Sequence, residues 1–193
     1  MGVAAHPHRE RQRVLLTGLL PDITTDPAIE TAIDSVEAGR SGTIVAPVGI
    51  RPPLLAAVAS RAATPLVVLT ATGRDAESLT NALASWIPGV AMLPAWETLP
   101  HERLSPQVDT MARRIAVLRR LVHPIEGDDS AGPISVLVVP IRAFLQPIIS
   151  GLADLEPVRV RAGDIMDLTD VTNRLAELGY ERVDMVEGRG QMS

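Results

Sequence analysis

Short apolar runs alternate with helix-like stretches through most of this 193-residue chain, and that alternation is the strongest constraint on its fold. The apolar runs, which predict buried strands, lie at residues 43–46, 66–70, 90–93 and 134–139. Helical patterns begin after Asp26 and recur at residues 54–62, 75–86, 107–122 and 142–149. Strands that alternate with helices form parallel sheets covered on both faces. We therefore predict an α/β fold, a parallel sheet flanked by helices.

The pattern changes near residue 150. Residues 158–161 and 182–187 alternate between apolar and polar side chains, which is typical of strands with one exposed face. Between them, Asp167 or Thr169 caps a predicted helix that ends before Gly179. We expect three parts, and their bounds are 1–25 for an N-terminal tail, 26–150 for the α/β domain and 151–193 for a smaller, truncated α+β module.

The composition excludes several kinds of chemistry. All 18 basic residues are arginines and cysteine is absent, which rules out lysine Schiff bases, thiol catalysis and cysteine-bound metals. Few residues are aromatic and the net charge is −5, so a base-stacking surface for nucleic acid is disfavoured. No apolar run is long enough to cross a membrane. We expect a cytoplasmic chain with no catalytic residues, metal site or cofactor of its own.

The turn after the first predicted strand occupies the position where nucleotide-binding α/β folds hold phosphate. A working phosphate loop needs glycines, a lysine for the phosphates and a hydroxyl residue for magnesium. Gly49 is present, but Ala46 and Arg51 stand at the glycine positions, and Pro52 and Pro53 replace the lysine and the hydroxyl residue. The prolines also remove backbone N–H donors. We interpret the turn as a degenerate nucleotide loop, with weak anion attraction by Arg51 as the alternative.

The longest predicted helix carries four arginines. Its core-facing positions, by helical spacing, are Met111, Ile115, Leu118 and Val122. The arginines are Arg113, Arg114, Arg119 and Arg120. We expect them to form a solvated face, and a phosphate or domain contact is the alternative.

Two motifs resemble the bacterial transcription-repair coupling factors, the Mfd family. The first is Trp96-Glu-Thr-Leu-Pro, followed by Ser105-Pro and the arginine-rich helix. The second runs from Leu178 to Gly190 and reads Leu-Gly-Tyr-Glu-Arg-Val-Asp-Met-Val-Glu-Gly-Arg-Gly. Together with the degenerate loop, the resemblance covers roughly residues 40–190 in order. The family pattern continues with an Arg-Gly-Gly strand, where this chain has Gln191-Met-Ser.

The resemblance implies a function that spacing alone does not. The family comprises large cytoplasmic proteins that displace stalled RNA polymerase with an ATP- and Mg²⁺-dependent DNA translocase in their C-terminal half, and that recruit UvrA. Their N-terminal region is similar to UvrB: a helicase-like first domain without a nucleotide site, and an inserted second domain that binds UvrA. By this resemblance the chain is that non-enzymatic region. RNA polymerase and DNA would be bound by other domains, and the module would also contact the C-terminal region.

The resemblance also suggests residues for the UvrA contact. Arg182 matches an arginine that UvrB-like proteins use there, and Asp184 projects from the same face of the predicted strand. Further candidates, chosen only because they belong to the module, are Arg161, Arg174, Glu187 and Arg189. The alternative function is a nucleotide- or DNA-binding domain of a UvrB- or helicase-type enzyme.

Overall fold

The structure is a computed structural model that describes residues 15–97, 107–160, 163–187 and 190–193. The elements in chain order are α1 (Leu20–Thr24), α2 (Pro27–Glu37), α3 (Arg51–Arg61), β1 (Leu66–Thr70), α4 (Gly73–Leu83), β2 (Val90–Met92), α5 (Val108–Val122), β3 (Val136–Pro140), α6 (Ile141–Phe144), α7 (Leu168–Glu177), β4 (Glu181–Arg182) and β5 (Gln191–Met192). Single-turn 3-10 helices lie at Leu16–Leu19, Val48–Ile50 and Leu152–Asp154. No helix in these described ranges is long and apolar enough to cross a membrane.

Three parallel strands form the main sheet, in the order β1-β3-β2. Val136 of the central strand β3 pairs with Leu66 of β1 on one side and with Val90 of β2 on the other. Every residue of β3 is buried, since both of its edges and both of its faces are covered. The apolar run at residues 134–139 predicted this strand, and the parallel sheet flanked by helices is confirmed.

Two cores lie on opposite faces of the sheet. Val136 and Val138 point into the first core, which α1 to α4 complete and in which Ile33 is fully buried. Leu137 and Val139 point into the second core, against α5 and α6. Because successive side chains of a strand point to opposite faces, one short apolar strand serves both cores.

Helix ends follow the predicted capping residues. The Asp26 carboxylate accepts hydrogen bonds from two backbone N–H groups in the first turn of α2, and Pro27 is the first helical residue. Asp167 caps α7 in the same way, and Gly179 adopts a φ of +87° just beyond its end. α6 is shorter than the predicted 142–149, and Pro147 follows soon after it.

Residues 43–46 are not a strand, so this prediction was wrong. Val45 is 96% exposed and Ile44 is 54% exposed. Within the described residues, β3 is the only strand paired with β1, so residues 43–46 do not pair with the open edge of β1. Apolar character predicts a preference for burial, but a strand also needs a partner for its backbone groups.

β1 forms where it was predicted, although it is not fully buried. Val67 and Leu69 are each about half exposed, whereas their neighbours in the strand face the first core. β1 is an edge strand, and the second face of the sheet is covered mainly over β2 and β3. The apolar run was therefore a correct indication of a strand and a wrong indication of its burial.

α5 has a different buried face from the predicted one. Met111 and Val122 are exposed, while Thr110, Arg114 and Val117 are buried along with Leu118. The predicted apolar stripe and the buried stripe share only one fully buried residue. An arginine therefore occupies a core position, which reverses the expectation of a solvated arginine face at this residue.

The C-terminal part contains less strand than predicted. Residues 158–160 are irregular, and residue 161 lies outside the described residues. The predicted strand at 182–187 is reduced to β4, which pairs in parallel with β5 over two residues. None of the described residues from 155 to 193 is buried, so no core is present there to extend the ladder.

Part of the predicted tail is folded. Leu16 donates its N–H to the Ser85 carbonyl at 2.8 Å, and the Thr17 hydroxyl donates to the Trp86 carbonyl at 2.7 Å. Leu20 is buried in the first core. Residues 15–25 thus belong to the α/β part, while the boundary near residue 150 stays a prediction.

We expect Gly89→Ala to destabilise the sheet more than Gly39→Ala. Both glycines have positive φ, +71° and +64°, which costs other residues about 1–2 kcal/mol. A Cβ on Gly89 would also lie 2.9 Å from the Pro133 carbonyl oxygen and 2.8 Å from the Ser135 hydroxyl, whereas Gly39 faces open space. Urea denaturation should show a total loss of about 2–4 kcal/mol for Gly89→Ala. Equal losses would contradict this account of the turn.

Candidate functional site

The predicted nucleotide loop is a tight turn. The N–H of Ile50 donates to the Pro47 carbonyl at 3.0 Å, and the N–H of Arg51 donates to the Val48 carbonyl. Gly49 has an ordinary φ, and a Cβ there would meet nothing within 4 Å. Neither a left-handed conformation nor a close approach requires a glycine at this position.

Few backbone donors in this turn are free to bind an anion. Ile50 and Arg51 use their N–H groups within the 3-10 turn, and Pro52 and Pro53 have none. A phosphate loop instead directs several consecutive N–H groups at its ligand. Ala46 lies in the irregular segment before the turn. The Arg51 side chain is exposed at the start of α3, so anion attraction there stays a prediction.

The second candidate site lies on β4 and the residues after it. Arg182 and Asp184 are exposed and Val183 between them is half-buried, as the predicted alternation requires. Glu181 donates its N–H to the Gly190 carbonyl at 2.9 Å, and Val183 donates to the Met192 carbonyl at 2.8 Å. These bonds fix the backbone on either side of Arg182, while its side chain faces solvent.

The other module residues do not join Arg182 in one cluster. Arg174 lies on α7 and forms an ion pair with Glu177 at 2.9 Å. Glu187 is exposed, and its backbone N–H donates to the Gln191 side chain at 2.9 Å. Within the described part of the chain, no hydrogen bond or ion pair connects Arg174, Arg182, Asp184 and Glu187. Arg161 and Arg189 lie outside the described residues.

Arg114 holds the start of the Trp96 motif against α5. It is only 1% exposed, and its Nη1 donates to the Pro94 carbonyl at 2.5 Å. Its guanidinium carbon lies 4.5 Å from the centre of the Trp96 ring, a cation–π contact. Burial lowers the pKa of Arg114 from its usual value, but an arginine remains charged at neutral pH.

Other side chains fix the same segment. Gln146 accepts from the Trp96 N–H at 2.8 Å and donates to the Trp96 carbonyl at 3.3 Å. The Thr110 hydroxyl donates to the Glu97 carboxylate, and this hydrogen bond holds the pKa of Glu97 below its usual value. Arg142 donates to the Glu97 carbonyl at 3.1 Å. Residues 94–97 are therefore tied to α5 and to the chain after β3.

The arginines of α5 differ in role, contrary to the expected solvated face. Arg120 donates to the Gly132 carbonyl at 2.8 Å, and Arg119 donates to the Leu155 carbonyl at 3.1 Å. Arg113 is exposed. The buried role of Arg114 was not predicted, although the sequence contains a signal for it: Thr110, Val117 and Leu118 lie four before, three after and four after it on one helix face.

Among the described residues, no group of three or more histidine, aspartate or glutamate side chains is placed to hold a metal ion. What the arrangement offers is a set of exposed charges on an ordered backbone. Such a surface is suited to binding another macromolecule.

No protein-family model matches the chain. The transcription-repair-coupling factors of Mycobacterium tuberculosis and Mycobacterium bovis are each 46% identical to it over 154 residues, which is 78% of this chain and 12% of the relative. The factor of Escherichia coli is 26% identical over 140 residues, 72% of this chain and 12% of its own length. Over the matched region, the chain is similar to the transcription-repair-coupling factors. It spans only about an eighth of the length of these relatives.

We expect Arg114→Lys to destabilise the protein by about 1–3 kcal/mol, because lysine retains the buried charge but lacks the planar group that stacks on Trp96 and bonds Pro94. Chemical denaturation measures the change. Arg113→Lys is the matched control, since this neighbouring arginine is exposed, and it should change stability by less than about 0.5 kcal/mol. Similar changes in the two variants would show that the contacts of Arg114 with Pro94 and Trp96 do not stabilise the fold.

α7 should lose its N-terminal cap in acid. Backbone hydrogen bonds from Thr169 and Asp170 lower the pKa of Asp167 from its usual 3.8. The cap therefore stabilises α7 above the pKa of the unfolded chain, and this contribution is lost as the pH falls through the lower, folded-state pKa. The protection factors of the amides in the first turn of α7, which are exchange rates corrected for the intrinsic effect of pH, should fall over that range. In Asp167→Asn, whose amide oxygen caps without titrating, this pH dependence should disappear.

Proposed function

We propose that this chain is the UvrB-like, N-terminal part of a transcription-repair coupling factor, and that it recruits UvrA during transcription-coupled nucleotide excision repair. The chain itself is non-catalytic in this proposal. The full-length protein would be an ATP- and Mg²⁺-dependent DNA translocase of the bacterial cytoplasm that displaces stalled RNA polymerase. Other domains would bind the polymerase and DNA, and the C-terminal region would contact this module.

The observation that carries the UvrA proposal is the exposure of Arg182 and Asp184 on a backbone fixed by β5. Arginine binds carboxylates with two parallel hydrogen bonds, and such pairs at the centre of an interface contribute strongly to affinity. Both side chains point away from the half-buried Val183 and so are available to a partner.

The geometry of the turn at residues 46–53 supports a non-catalytic role. Its two prolines and its internally bonded N–H groups leave little of the backbone surface that binds nucleotide phosphates. The alternative, a nucleotide- or DNA-binding domain of a UvrB- or helicase-type enzyme, needs those donors and a phosphate-binding lysine, which this chain lacks. Binding of ATP by the purified chain would favour that alternative.

Calorimetry of the chain with UvrA tests the proposal. We expect micromolar or tighter binding, and Arg182→Ala should weaken it about tenfold, which corresponds to about 1.4 kcal/mol. Arg113→Ala is the matched control, because it removes an exposed arginine from α5, outside the module. If UvrA binds and Arg182→Ala has no effect, the function stands and the site is elsewhere. If UvrA does not bind at all, recruitment by this chain is excluded.

A further inference from the structure

A groove runs along the first two turns of α7. It encloses about 470 Å³ between α7 and the irregular segments before it. Apolar and charged side chains line it together, among them Ile165, Met166, Asp167, Asp170, Val171 and Arg174. The last four follow one another at spacings of three, one and three residues, which puts them on one face of the helix. We call this feature the α7 groove.

The apolar side chains at the entrance of the α7 groove are largely exposed to solvent. Ile165 is fully exposed at 102%, and Met166 is 44% exposed. Leu168, at the start of the helix beside them, is 80% exposed. Large apolar side chains grouped in this way are typical of surfaces that bind a partner, since burial of their area in a contact is favourable.

The charges around the α7 groove favour a cation in the partner. Arg159, which also lines it, pairs with Asp128 at 3.6 Å, and Arg174 pairs with Glu177 at 2.9 Å. Both guanidinium groups are therefore paired with a carboxylate of the same chain. The Asp170 carboxylate has no hydrogen bond or ion pair with any described residue. Residues 151–193 as a whole carry five arginines and nine acidic residues, a net charge of −4.

The α7 groove lies close in the chain to the surface proposed for UvrA. β4 begins four residues after the last residue of α7, and Tyr180 between them donates its N–H to the Leu175 carbonyl at 3.0 Å. α7 has ten residues and is therefore about 15 Å long. A standard protein interface of about 800 Å² per partner is wider than the length of α7.

We propose that the α7 groove receives an apolar side chain of UvrA that stands beside a lysine or arginine. The apolar side chain packs against Ile165, Met166 and Val171, and the cation pairs with Asp170. This inference rests on the proposed function, to which it adds a second contact and the chemistry of the partner surface. The inference also gives the net negative charge of residues 151–193 a role in binding, which the contact through Arg182 does not.

Two substitutions test the α7 groove without disturbing the fold, because both residues are exposed: Ile165→Ser and Asp170→Asn. Each should weaken UvrA binding in calorimetry by about threefold to tenfold. The matched controls are Leu145→Ser and Asp129→Asn, which remove an exposed apolar and an exposed acidic side chain outside the module. Both controls should bind UvrA like the wild-type chain. Far-UV circular dichroism checks that all four variants remain folded.

The outcomes separate this inference from the proposed function. If UvrA binds, Arg182→Ala weakens it and the groove variants do not, the groove is not part of the interface although the function stands. If UvrA does not bind the wild-type chain, both proposals fail. Sedimentation of the chain alone tests whether a second copy of the chain occupies the groove. A dimer that Ile165→Ser dissociates would overturn the assignment to UvrA in favour of a second copy.

Discussion

The burial of β3 is the constraint on which the rest of the α/β part depends. A central parallel strand has both edges paired, and connections between parallel strands place helices over its faces. Val136 and Val138 therefore need α3 and α4 on one face, while Leu137 and Val139 need α5 on the other. The same requirement sets the direction of the helices, so that α4 starts directly after β1 at the carboxyl edge of the sheet.

At that edge, the second core contains a charge. Arg114 faces the sheet from a position that an apolar residue would normally fill, and a buried guanidinium is unfavourable unless its donors and its charge are satisfied. The Pro94 carbonyl and the Trp96 ring supply part of that compensation. Through these two contacts, Arg114 fixes the path of the chain after β2. Residues 94–97, which include the first two residues of the motif that begins at Trp96, are therefore tied to the architecture of the sheet.

Local patterns in this sequence predicted local structure, and partners distant in the chain decided the rest. β3 and the caps at Asp26 and Asp167 were predictable, because an apolar run and a capping side chain act within a few residues. The strand predictions for residues 43–46 and 158–160 failed because a strand forms only beside a partner strand, and the sequence of the strand itself does not specify that partner. Likewise, exposure of Arg182 followed from alternation, whereas the groove beside α7 depends on how the irregular segments before the helix pack against it.

The C-terminal part shows how incomplete burial relates to binding. Its strands pair over only two residues each, and no described residue from 155 onward is buried. A two-stranded ladder of this length is marginal on its own. Apolar side chains such as Ile165 remain in water until another surface covers them, and covering them stabilises both the module and the complex. In this protein the α/β part is held together by its own cores, whereas the described residues from 155 onward have none, and under our proposal it is the partner that covers their apolar side chains.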